Sequence, residues 1–356
     1  MNVLPGERSK VSSILPSFMV VQRLWPQRAK SLLNFVLGPV LFLLIAFSIY
    51  RQVSAQPGLS DQWQAISDIE FFNRRGILLG LAAIGLMLLN WCLEAFKWRM
   101  MVNHLMPLNF TRALLSVLAG LSFTMLTPNR MGEFLGRLLY MPNESRFRAA
   151  SLTALSSLSQ LIVTVGAGIA GFLYLQNPLT DVDRFPLLLS NALVFGLLLF
   201  LIVALIIYFN VGAFIRWIEP WPAIRKYTPL IHAIGQIERR ELAFYLLLSA
   251  LRYAVFILQY ALFFHLFHIH IAWQPLVAAT ATLFLILAMV PTISLAELGV
   301  RGQASLFVYG MFSQDSVGIL LAAGLVWVIN IVLPAFAGSL ILLSVKLFDK
   351  SSPESA

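Results

Sequence analysis

Apolar runs of about twenty residues or more recur along this chain, and no other feature limits its folding as strongly. The hydrocarbon core of a bilayer is ~30 Å thick, or about 20 helical residues at 1.5 Å each. Runs at 31–50, 76–102, 149–175, 186–209, 242–267 and 316–347 are long enough to cross it. Of 356 residues, 59% are hydrophobic and only 12% charged, so the expected class is an all-α, polytopic transmembrane helix bundle. No polar stretch is long enough for a separate soluble domain. The expected division is an interfacial or cytoplasmic arm at 1–30, one transmembrane domain at 31–347 and a short cytoplasmic tail at 348–356. The arm holds five bases against Glu7 and reads as a surface-lying segment. Its apolar run comes late, is long and has no small-residue cleavage site, unlike a cleavable signal.

Two further apolar segments, 111–141 and 273–312, are interrupted, and the interruptions resemble each other. The first reads Pro128-Asn129-Arg130-Met131-Gly132-Glu133-Phe134-Leu135-Gly136-Arg137. The second reads Pro291-Thr292-Ile293-Ser294-Leu295-Ala296-Glu297-Leu298-Gly299-Val300-Arg301. Proline lacks an N–H and clashes with the preceding turn, so each apolar helix should stop there. Asn129 or Ser294 can then cap a new helix. On that helix Glu133 and Arg137, or Glu297 and Arg301, share one face at i and i+4. Charges at membrane depth normally face a bundle interior or a watery cavity. Arg252, some way inside the 242–267 run, is a third cation expected at depth.

Charge sets the sides. If both interrupted units are hairpins that enter and leave on one face, six full spans remain. Seventeen Lys and Arg then fall on the side of both termini and four on the other, with Arg130, Arg137, Arg252 and Arg301 at depth. That is the bias expected of a cytoplasmic face. Reading the first unit as a full span moves the bases of the 210–241 loop outside, and the bias collapses. The hairpins then enter from opposite faces, the inverted-repeat pattern of secondary transporters, with a polar cavity implied between them. The 210–241 loop mixes Arg, Lys, Trp and Pro as an interfacial amphipathic connector does.

At the end of the second run, Lys97 and Arg99 are expected to snorkel to the headgroups, with Trp98 at the interface. Glu94, about a turn deeper, reads first as a partner for Lys97 or Trp98 and second as a site residue. Small residues around Ser151–Ser159 and Gly166–Gly171 read as close helix packing. His265, His268 and His270 lie at a span end, and their spacing cannot put all three on one helix face. They read as interfacial rather than metal-binding. The single cysteine, Cys92, cannot form an internal disulfide. The net charge of +9 comes from bases scattered between spans, which does not suit nucleic-acid binding.

The Thr127-Pro128…Gly132-Glu133…Arg137 stretch resembles the first signature of the lysylphosphatidylglycerol synthase transmembrane-region family, also called flippase-like membrane proteins. Glu94…Trp98-Arg99 and Pro291…Glu297-Leu298-Gly299-Val300-Arg301 resemble its other recurring patches. The likeness covers about 31–347. The chain departs from the pattern at Asn129-Arg130, where a Gly-rich turn is common, and at Ala296, where Gly is frequent; both changes stiffen the turns. Some members carry a soluble aminoacyl-transferase domain after the membrane part, which this sequence lacks. The resemblance therefore implies lipid translocation or lipid handling in a cell inner membrane without the synthase step, and no cofactor.

The chemistry fits an anionic phospholipid or polyprenyl-phosphate headgroup. Arg137 and Arg301 offer forked donors to phosphate, and the helix starts after each break point N–H groups at an anion. Glu133 and Glu297 would hold the arginines when no ligand is bound. Arg252 would neutralise a second anionic group, and Asn129 and Ser294 would supply turn hydrogen bonds. Each Glu–Arg pair equally reads as a self-satisfied helix pair. A membrane transferase acting on a lipid and a non-transporting lipid-binding scaffold are the alternatives, and an oligomer is left open.

Overall fold

Four asparagine and acidic caps set where the helices begin in the computed structural model. It describes residues 73–125, 127, 132–142, 145–181, 187–221, 234–290 and 294–344, with Leu43 and Phe47. The expected span at 31–50 lies, apart from those two residues, outside the described residues, as do the N-terminal arm and the tail at 348–356. The break residues 128–131 and 291–293 lie outside them too. Asn73 accepts from the Gly76 N–H at 2.7 Å and opens helix α1, Arg74–Val102. Asn109 accepts from the Arg112 N–H at 2.9 Å and opens α2, Phe110–Thr124. After the first break comes α3, Gly132–Leu139. Then follow α4, Arg146–Asp181, α5, Leu187–Phe209, and the short α6, Val211–Ile218. Glu238 and Glu241 form a capping box at the start of α7, Arg239–Leu266. Helices α8, Trp273–Met289, and α9, Ser294–Tyr309, flank the second break. Asp315 accepts from the Gly318 N–H at 2.9 Å to open α10, Ser316–Trp327. A π-helical turn, Val328–Val332, joins α10 to α11, Leu333–Ser344.

The described residues contain no strand, and five of their helices or continuous helical stretches are long and apolar enough to cross a membrane. These are Arg74–Val102, Arg146–Gln176, Leu189–Phe209, Arg239–Leu266 and Ser316–Leu342, each within two residues of α1, α4, α5, α7 or α10–α11 except where α4 runs on to Asp181. The protein is an all-α, multi-pass membrane protein. Apolar side chains on the outside fit that setting: Phe195, Leu199, Ile202 and Ile206 on α5 are all exposed. Within the connector Val211–Ile218 is helical, with Trp217 exposed and its ring 5.4 Å from that of Trp221, while Ile215 is buried.

Both interrupted segments fold back as helical hairpins. A Cβ at Gly136 would stand 2.2 Å from the Gly120 Cα, and one at Gly132 would stand 2.1 Å from the Phe123 carbonyl carbon. As α3 advances its neighbours on α2 recede, so the two legs are antiparallel and touch backbone to backbone. In the second hairpin the Thr280 hydroxyl on α8 meets the Tyr309 hydroxyl on α9 at 2.8 Å.

Side-chain pairings also fix the directions of the first legs. Ser122 donates to the Ala335 carbonyl while Gly338 packs on Leu118, so α2 and α11 are antiparallel. Asn330 bonds Gln259 while Gly318 packs on Ile269, so α7 is antiparallel to α10 as well. Helix α2 thus runs with α7. Helix α8 turns back from α7 and places Ala281 beside Tyr253. The first legs α2 and α8 therefore run in opposite directions. The expected small-residue packing is present where Gly168 meets Leu285 and Gly171 meets Ala278 and Ala281 on α8.

Candidate functional site

Glu94 is the centre of a buried charge group built by α1, α3, α4 and α7. Its Oε1 accepts from Arg137 Nη2 at 2.6 Å and from the Ser156 hydroxyl at 3.1 Å. Its Oε2 is 3.0 Å from Lys97 Nζ and also bonds Arg252 Nη1. Arg137 makes a second ion pair with Glu133, one turn back on its own helix. Lys97 donates to the Ser249 hydroxyl at 3.2 Å. The Arg137 guanidinium lies 4.8 Å from the Trp98 ring centroid, and that of Arg252 lies 5.4 Å from the Trp91 ring. Arg137 and Lys97 have no exposed surface, and Glu94 has 2%. Glu133, at 23% side-chain exposure, is the most open member.

The group holds two carboxylates, Glu94 and Glu133, and three cations, Lys97, Arg137 and Arg252. Burying charge is tolerated only with close partners, and here the cations exceed the carboxylates by one. Arg137 Nε and Nη1 and the indole N–H groups of Trp91 and Trp98 are buried without a hydrogen-bond partner among the described residues. All four are donors, so the uncommitted hydrogen-bonding capacity suits an acceptor-rich anion.

A chain of buried amides leads away from Arg252. Arg252 Nε donates to Asn90 at 2.9 Å, Asn90 to Asn330 at 3.3 Å, Asn330 to Gln259 at 2.8 Å, and Gln259 to the Ala83 carbonyl at 3.3 Å. The π turn places Asn330. Pro334 has no N–H for the residue 330 carbonyl, and the backbone rewinds so that the Leu333 N–H reaches Val328 instead.

The second Glu–Arg pair stands apart. Arg301 Nη2 is 3.2 Å from Glu297 Oε1, and among the described residues neither bonds a member of the Glu94 group. Arg301 lies beside Tyr260, the residue that follows Gln259. Both i, i+4 pairs foreseen on α3 and α9 therefore form, and Arg252 joins the first but not the second. Helix α3 is described from Gly132 and α9 from Ser294, in each case just after the break residues that carry the proline. Asn129 lies outside the described residues; Ser294 opens α9, and its side chain lies outside them.

Three expectations are corrected. Lys97 does not snorkel: it is fully buried against Glu94 and Ser249. The side expected to hold both termini then keeps sixteen of its seventeen bases against four, so the expected bias is little changed. Trp98 is not interfacial but has no exposed surface, packed under Arg137. Glu94 does pair with Lys97, yet Arg137 and Arg252 share the same carboxylate, so it is more than a partner at a span end. Asn90, Glu94 and Lys97 recur at helical spacing on one face of α1, and that stripe is the sequence signal for the centre. The three histidines at the end of α7 fall where the chain leaves the helix. His265 Nε2 is 2.6 Å from Arg75, and His268 takes φ 58°.

Comparison with known protein families gives a match over most of the chain: the model described as lysylphosphatidylglycerol synthase TM region matches residues 29–338. No curated protein matches the chain.

Proposed function

The chain belongs to the lysylphosphatidylglycerol synthase TM region family, and from that premise we propose that it carries an anionic lipid or lipid-linked headgroup across the cell inner membrane. In this reading the two hairpins are re-entrant, enter from opposite faces, and leave both termini in the cytoplasm. Their first legs, at 15 and 17 residues, span ~22 and ~26 Å, short of the ~30 Å hydrocarbon core. The opposed directions of α2 and α8 and the sixteen-to-four charge bias support the same arrangement.

The observation that carries the reading is the buried group around Glu94, with its one surplus cation and its four uncommitted N–H donors. A phosphate-bearing headgroup supplies both the negative charge and the acceptors. Arg137 and Arg252 bind it, Glu94 and Glu133 hold the arginines between ligands, and Arg301 with Glu297 serves the second hairpin. Asn129 and Ser294 lie at the two breaks, where a headgroup meets the starts of α3 and α9. The reading assigns no bond-making step to the protein and no cofactor.

The test is reconstitution of the purified protein into vesicles carrying fluorescent lipids on one leaflet. Anionic lipid is expected to redistribute faster than in protein-free vesicles, and faster than a zwitterionic lipid with the same tails. Equal rates with and without protein remove the reading. Formation of a new lipid product from an added activated donor would replace it with the transferase alternative.

A further inference from the structure

Among the described residues most buried serine and threonine hydroxyls bond a carbonyl or another side chain, and Ser190 and Ser305 are the exceptions. Ser116, Thr124, Thr153, Ser159, Ser249, Thr280, Thr282 and Ser339 each return to a carbonyl three or four residues back. Ser305 on α9 does not. It has no exposed surface, and its hydroxyl has no partner among the described residues. Ser305 is four residues after Arg301, so the two share a helix face. Arg301 Nε is also buried without a partner, and its side chain is 9% exposed. The Tyr260 hydroxyl, on α7 beside Arg301 and close enough to exchange a hydrogen bond with its guanidinium, is buried and has no other partner among the described residues.

Arg301 Nε and the Ser305 hydroxyl, one turn apart on α9, and the Tyr260 hydroxyl beside Arg301 on α7 thus leave buried donors uncommitted. Unsatisfied buried donors cost free energy, so three in one place call for a common acceptor. A guanidinium N–H and two hydroxyls match a tetrahedral oxyanion, and Glu297, 20% exposed at the rim, lets Arg301 keep its charge between ligands. The Glu94 group offers no such hydroxyl pair: Ser156 and Ser159 are already bonded.

We propose that Arg301, Ser305 and Tyr260 form a second oxyanion station, separate from the Glu94 group, for a phosphate-type group. The proposal rests on the transport reading above and adds to it a resting point on the α9 hairpin. A headgroup leaving the Glu94 group would be received there. Ser305 and Tyr260 then set affinity at one station without touching the other.

The experiment measures binding, not flux. Full-length protein in detergent is titrated with dihexanoyl phosphatidylglycerol, a water-soluble anionic phospholipid, and Kd is read for the wild type, Ser305→Ala and Tyr260→Phe. Ser305→Ala deletes a hydroxyl without a partner among the described residues, so its unfolding temperature should be unchanged or slightly higher; Tyr260→Phe deletes one that lies beside Arg301, and its unfolding curve checks that it is folded. Kd should rise at least about tenfold in each, the worth of one hydrogen bond to a charged acceptor. Competition by inorganic phosphate identifies a station that accepts the free ion; its failure to compete identifies one that needs the lipid headgroup. Wild-type binding with Kd unmoved in both variants overturns the station and leaves the transport reading standing. Failure of the wild type to bind the lipid overturns both.

Discussion

Arg137 and Glu94 lie 43 residues apart in the chain and meet at 2.6 Å with almost no solvent contact on either side chain. One comes from a hairpin leg and the other from a full-length helix, so the pair ties the hairpin to the bundle. Arg252 reaches the same carboxylate from 158 residues away. Removing the carboxylate would leave three buried cations with Glu133 alone. Glu94→Gln is therefore expected to cost about 3–5 kcal/mol, the range for breaking a buried pair by removing one partner. Thermal unfolding in detergent measures this. Glu133→Gln, at the open edge of the group, should cost distinctly less.

Backbone contact in the first hairpin sets a second expectation. A Cβ at Gly136 would stand 2.2 Å from the Gly120 Cα and N, and backbone cannot step aside as a side-chain tip can. Gly136→Ala should lower stability by about 1–3 kcal/mol through forced separation of α2 and α3. At Gly299 on α9 an added Cβ would meet nothing within 4 Å. Gly299→Ala should therefore gain about 0.5–1 kcal/mol from helix propensity. Opposite shifts in unfolding temperature for these two substitutions check the packing directly.

The end of α7 offers a stabilising change. His268 has φ 58°, while the Ile269 N–H bonds the Phe264 carbonyl at 2.8 Å and the His268 N–H bonds His265 at 3.4 Å. That is a Schellman cap with a side-chain-bearing residue in the left-handed position, where glycine carries no steric penalty. His268→Gly should raise stability by about 0.5–1 kcal/mol, read as a higher unfolding temperature.

Asn330 bridges two other buried amides, accepting from Asn90 and donating to Gln259. Asn330→Leu leaves Asn90 Nδ2 and Gln259 Oε1 without the partners they have now. A loss of about 1–3 kcal/mol is expected. Adding Gln259→Leu should recover part of it, because its stranded carbonyl oxygen is then gone, while Asn90 is kept for Arg252.

The fold was largely readable from the chain because bilayer thickness converts directly into run length. The expected runs at 76–102, 149–175, 186–209 and 242–267 end within about six residues of helices α1, α4, α5 and α7. The prolines that mark both breaks in the sequence lie outside the described residues, while the i, i+4 pairs followed from helix geometry alone. The centre of the site was harder to see. Glu94, Lys97 and Arg99 stand at the basic end of an apolar run, where local sequence suggests side chains reaching for headgroups. Only tertiary packing brings Arg137, Arg252 and Ser156 to Glu94 and closes Lys97 off from solvent. Asn90, Gln259 and Asn330 likewise look like isolated polar residues in three separate runs. Their chain exists only because α1, α7 and the π turn meet.

Flux through the buried arginines is the most direct measure of the central claim. Wild type, Arg137→Gln and Arg301→Ala are reconstituted at equal protein density, and transfer of fluorescent phosphatidylglycerol between leaflets is timed, with unfolding curves confirming that each variant is folded. Loss of one charged hydrogen-bonding partner is expected to slow transfer at least about tenfold in Arg137→Gln and to abolish it in Arg301→Ala. Folded variants that move the lipid as fast as the wild type would contradict passage of the headgroup between these helices.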